Sequence, residues 1–161
     1  MNTESRKFYL PSYQEIPDVG LYLEQVAKFI NSYLQGYEEL YVTPSMISNY
    51  AKQKLIERVR KKTYTRDQIA ALIFINLAKN VISIEHTAMF LHSMHEPEQF
   101  RAAYEQFRIL LPEALKMLHV GSGPVTSDNT AEPLLQRISE AIAYKMYLET
   151  CFDRMKTEED D

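Results

Sequence analysis

Apolar residues recur along this chain in short helical stripes, each introduced by a polar residue suited to capping. Leu23, Val26, Ala27, Ile30 and Leu34 fall at helical spacing, predicting a helix from Val19 to about Gln35 with Asp18 as its cap and Gly36 as its stop. Thr43 followed by Pro44 predicts a short helix to about Gln53, with Met46, Ile47 and Tyr50 facing inward. Leu55 and Ile56 then turn back into the core. The charged stretch from Glu57 to Tyr64 has no helical period and reads as an exposed loop or small hairpin. Thr65 and Gln68 have the spacing of a capping box ahead of Ile69, Leu72, Ile73 and Ile75, a helix to about Asn80. Ser83 can cap a further helix through Leu91.

The second half is plainer. One helix is expected from Pro97 to about Leu110 and another from Pro112 to His119, followed by a linker at 121–130. A last helix, Glu132 to Met155, places Leu134, Ile138, Ala141, Lys145, Leu148, Phe152 and Met155 at alternating steps of four and three. That is a heptad seam, and it predicts a homodimer through this helix. The acidic end, Glu158 to Asp161, is expected to fray. Residues 1–17 form an arm whose Phe8, Tyr9, Leu10 and Tyr13 can dock on the core. The expected architecture is all-α, with residues 1–93 as one domain and 94–161 as a helical region for dimerisation or sensing.

Composition agrees with helix. Four glycines in 161 residues are too few to turn an all-β sandwich. No apolar run approaches the length of a membrane span, and Met1 to Lys7 leads into no signal-like segment, so a cytoplasmic protein is expected. Cys151 stands alone, which excludes a disulfide framework.

Charge changes the picture more. The chain is −4 overall, yet residues 52–66 hold seven basic side chains against Glu57, a net of +6 that leaves −10 on the rest. A confined basic island on an acidic protein suits a local polyanion contact. The polar residues Ser45, Ser48, Asn49, Lys52 and Gln53 of the preceding helix fit a helix entering a major groove, where Asn and Gln pair with adenine edges. Arg58, Arg60, Lys61 and Lys62 are placed to grip phosphates beside it.

The segments TPSMISNYAKQKLI and RVRKKTYTRDQIAALIFI resemble the DNA-binding domain of the mercury-resistance-regulator (MerR) superfamily. Tyr50, Lys52, Leu55 and Ile56 match the end of that family's recognition helix. Tyr64 and Thr65 match the end of its basic wing, and Ile69, Leu72 and Ile75 its next helix. Ser48-Asn49-Tyr50 stands where an arginine precedes the family's aromatic pair, Lys54 replaces an expected glycine, and the wing is short. The whole chain is also similar to a bacterial family catalogued as domain of unknown function 1836, through LPSYQEIPDVGLYLEQV, TPSMISNY and YTRDQIAALIFI. The first resemblance implies a helix-turn-helix regulator binding double-stranded DNA as a dimer. Its contact residues would be Ser45, Ser48, Asn49, Tyr50, Lys52, Gln53, Lys54, Arg58, Arg60, Lys61, Lys62, Tyr64 and Arg66. The alternative is a protein-interaction module on a winged-helix scaffold without DNA binding.

Other chemistry has little support. His86, His92 and His95 lack a ligand spacing, so no metal or other cofactor is expected. Glu38 and Glu39 are adjacent and point apart, which argues against a carboxylate dyad. There is no phosphate-cradling glycine loop and no nucleophile elbow, and Cys151 lies on the last helix among packing residues. No enzyme is expected.

Overall fold

The computed structural model describes residues 8–122 and 131–161. The fold is mainly helical, with six α-helices among the described residues: α1 (Leu23–Ser32), α2 (Pro44–Lys52), α3 (Arg66–Ala78), α4 (Ile84–His92), α5 (Pro97–Ser122) and α6 (Ala131–Asp160). Two-residue strands β1 (Leu21–Tyr22) and β2 (Thr63–Tyr64) pair antiparallel, Leu21 opposite Tyr64 and Tyr22 opposite Thr63. No described helix is long and apolar enough to cross a membrane.

Local capping chemistry sets the central helices. Thr43 accepts a hydrogen bond from Met46 N–H, with Pro44 in the first turn of α2. Thr65 and Gln68 form the expected reciprocal box at α3, and Ser83 accepts from His86 N–H at α4. Each device satisfies donors that a helix start otherwise leaves open.

Four expectations are corrected. The first helix begins at Leu23 and not at Val19, because Leu21 and Tyr22 are extended against Thr63 and Tyr64. Gly20 permits this with φ +73°, and a Cβ there would lie 3.2 Å from the Thr63 Cβ. Gln25 reaches back to accept the Tyr22 N–H in place of a cap from Asp18. Pro112 does not separate two helices but lies inside α5. The apolar stripe Phe100, Tyr104, Phe107 and Leu111 packs on the core up to the proline, and that packing holds the helix despite one missing N–H. Helix α5 also runs to Ser122, into the expected linker, whose residues 123–130 lie outside those described. Finally, the acidic C-terminus is helical to Asp160.

The core joins Leu10 and Ile16 of the arm, Val26, Ile30 and Leu34 near α1, Ile47 and Tyr50 of α2, and Ile69, Leu72 and Ile75 of α3. It also takes in Tyr104 of α5, across the 93/94 division, where the buried phenol donates to Pro11 O at 2.7 Å. Helix α6 meets the body through its C-terminal half. Phe152 is buried and stacks on His86 of α4, with ring centroids 4.5 Å apart. Towards its start, Leu134, Leu135, Ile138 and Ile142 are exposed.

Candidate nucleic-acid interface

Helix α2 is held by backbone-directed amides from its neighbours. Asn31 of α1 brackets Val42, accepting its N–H at 2.8 Å and donating to its carbonyl at 2.9 Å. Asn76, fully buried in α3, donates to Leu40 O at 2.7 Å. These two amides fix the segment that delivers Thr43, and so the direction of α2. Its outer side then presents Ser45, Asn49, Lys52 and Gln53 to solvent, with Ser48 half-buried.

The exit from α2 is a Schellman turn: Lys54 N–H donates to Ala51 O and Leu55 N–H to Tyr50 O, both at 3.1 Å. This turn needs a left-handed residue, usually glycine, and Lys54 supplies it with φ 59°. Leu55 is buried beneath the turn.

The basic stretch is a tight hairpin. Thr63 N–H donates to Arg60 O at 3.2 Å, and the two residues between them, Lys61 and Lys62, have φ 54° and 59°. Two consecutive positive φ values are the signature of the type I′ turn, which matches the twist of a hairpin and normally takes Asn-Gly. The expected small hairpin is therefore present, built on lysines instead of glycine. Pairing of β1 with β2 anchors its returning strand, and the Gln68 side chain anchors its approach, donating to Glu57 O at 3.1 Å.

The structure divides the sequence-derived site residues into three groups. Lys52, Gln53, Lys54, Arg58, Arg60, Lys61 and Lys62 are exposed, as are Ser45 and Asn49. Tyr50 and Tyr64 belong instead to the core, each 5% exposed, and burial pushes the Tyr64 phenol up. Arg66 serves the arm: its Nε donates to Ile16 O at 2.8 Å, and its guanidinium lies 5.3 Å from the Tyr13 ring centroid. Beside it, Asp67 accepts two hydrogen bonds from Arg101 (3.1 and 3.0 Å) and one from Tyr13 Oη (2.7 Å). The Arg101 hydrogen bond is the largest influence holding the Asp67 carboxyl below the usual carboxylate range. The positioning residues Asn31, Asn76 and Gln68 carry no recognisable sequence signal beyond the capping role of Gln68.

No group of three or more His, Cys, Asp or Glu side chains among the described residues is arranged to hold a metal ion. No curated protein and no solved structure matches the chain. Residues 11–107 match the family described as "Domain of unknown function (DUF1836)", a span that takes in the arm from Pro11, α1 to α4, the hairpin and the start of α5 as far as Phe107. The chain belongs to this DUF1836 family.

Proposed function

We propose that this protein is a DNA-binding transcriptional regulator with a helix-turn-helix of the mercury-regulator type. Helix α2 enters the major groove with Asn49 and Gln53 towards base edges, and residues 58–62 hold the flanking phosphates. One observation carries the reading: Lys54, Lys61 and Lys62, within nine residues of one another, all occupy left-handed backbone positions and are all exposed. Each costs about 1–2 kcal/mol relative to an unstrained residue. Glycine or asparagine would relieve that cost, whereas lysine places an exposed ammonium group at each position. Strain kept in one short segment accompanies function.

The exposed apolar residues early in α6 favour a protein partner as well, and the partner in this reading is a second copy of the chain. Phe152 is covered by its own chain, so the dimer contact rests on the part of the seam from Leu134 to Ala141. Light scattering at micromolar concentration should give a dimer; a monomer refutes that part.

DNA binding is tested by fluorescence anisotropy on duplexes from the protein's own promoter region. A dimer making about 6 phosphate contacts should give a slope of log K against log salt near −5, weakening roughly a thousandfold from about 50 to 200 mM salt. Absence of duplex binding at low salt refutes the reading and leaves the interaction-module alternative.

A further inference from the structure

Glu57 and Thr65, which flank the basic hairpin, help to line a cavity of about 600 Å³, within the size range of small-molecule sites. Its walls are the turn leaving α2, the first turns of α3, and the connection from α4 to α5. Leu55, Ile56, Leu91, Met94 and Phe100 give it an apolar floor. The charged residues lining it are Lys54 against Glu57, Asp67 and Glu96, a formal −2 that falls to −1 with Asp67 paired to Arg101. Asp67 is already neutralised by Arg101. Glu57 and Glu96 form no ion pair among the described residues and remain to receive a cation. His92 and His95 also line the mouth, and a neutral imidazole accepts a hydrogen bond. An anion such as phosphate is disfavoured by this lining. A bare metal ion leaves the apolar floor unused and finds no group of three ligands among the described residues.

We propose that this cavity binds an amphipathic organic cation, with an aromatic or alkyl body on Leu55, Leu91 and Phe100 and an amine facing Glu57 and Glu96. Binding itself is independent of the DNA reading. Its regulatory consequence rests on that reading, since the Lys54–Ile56 turn is both a wall of the cavity and the exit from α2.

The test is an NMR titration of the isotope-labelled full chain, without nucleic acid, using tryptamine and indole-3-propionate as probes. The two carry similar apolar bodies and opposite charges. Tryptamine should shift resonances of cavity residues and bind at least about fivefold more tightly than the acid, the scale of exposed charge pairs. Replacing both carboxylates (Glu57→Gln with Glu96→Gln) should bring the two affinities together without lowering thermal stability, because both side chains are exposed and unpaired. Ala71→Leu, which extends into the cavity, should weaken both probes. Equal or tighter binding of the acid, an amine preference that survives the double substitution, or no cavity shifts with either probe at millimolar concentration would overturn the proposal. Because no DNA is present, its failure is distinguishable from failure of the DNA reading.

Discussion

Replacing Lys61-Lys62 by Asn-Gly should make the protein more stable and a weaker ligand of DNA. Both residues sit at positive φ in a two-residue turn closed by Thr63 N–H to Arg60 O. A left-handed L-residue costs about 1–2 kcal/mol, and two adjacent ones about twice that. Asn tolerates the region and Gly removes the penalty, although the extra unfolded-state freedom of Gly returns about 0.5–1 kcal/mol. The expected net gain is about 1–2 kcal/mol, or roughly 2–8 °C in Tm for a chain of this size. Two ammonium groups per protomer are lost at the same time. If both touch phosphate, the salt slope flattens by about 1.8 per protomer. Thermal denaturation and anisotropy across a salt series measure the two effects separately. A control, Lys61→Gln with Lys62→Gln, removes the charges and keeps the strain, so it should flatten the slope equally while raising Tm less than the Asn-Gly variant does, by the relief of like-charge repulsion alone. Unchanged or lower stability of the Asn-Gly variant refutes the strain argument. An unchanged slope in both variants refutes the phosphate contact.

Three further outcomes follow from named contacts. Asn49→Ala should leave Tm and salt slope unchanged, since Asn49 is exposed, but cost about 1–3 kcal/mol of discrimination between sequences, read by competition among duplexes. Asp67→Asn should destabilise the protein at neutral pH. The native carboxyl titrates below its ordinary value of 3.8, so its stabilisation is present above that pH and lost as pH falls past it. Urea midpoints of the two proteins should therefore converge in acid, and a gap that stays constant down to about pH 2 contradicts the ion pair's role. Tyr104→Phe leaves the buried Pro11 carbonyl without its donor and should cost about 1–2 kcal/mol by chemical denaturation; no measurable loss would show that water replaces the phenol.

What the sequence disclosed was mostly local. Thr43, Thr65 and Ser83 act within four residues of themselves, so their caps could be read directly and the helices after them follow. The hairpin was legible as a polar gap without period. Its backbone was not, because Lys-Lys lacks the composition of a type I′ turn, and pairing with Tyr22 forty residues away fixes its returning strand. The same distance hid the start of α1. Tyr50 shows a conflict that spacing could have settled: three residues from Ile47, it lies on the inward face, whatever its likeness to a contact residue. Arg66 could not be sorted that way, since only the arm's return to α3 supplies its partner, Ile16 O. Helix α5 crosses Pro112 because its aromatic stripe packs across sequence-distant elements, which outweighs a local breaker.

The structure sharpens the meaning of the basic island by removing one of its members. With Arg66 engaged by the arm, Lys52, Lys54, Arg58, Arg60, Lys61 and Lys62 remain against Glu57, and none of them forms an ion pair among the described residues. Like charges this close along the chain repel, and the rest of the sequence, at −10, carries carboxylates that could have been interleaved with them. Stability alone favours glycine in the two turns and mixed charge between them. The chain instead carries strain and uncompensated charge within the same eleven positions, while elsewhere its arginines, Arg101 and Arg108, are spent on carboxylates. In the DNA reading proposed above, an anionic partner that neutralises this charge when it binds is what the strained lysines and the unpaired charge have in common.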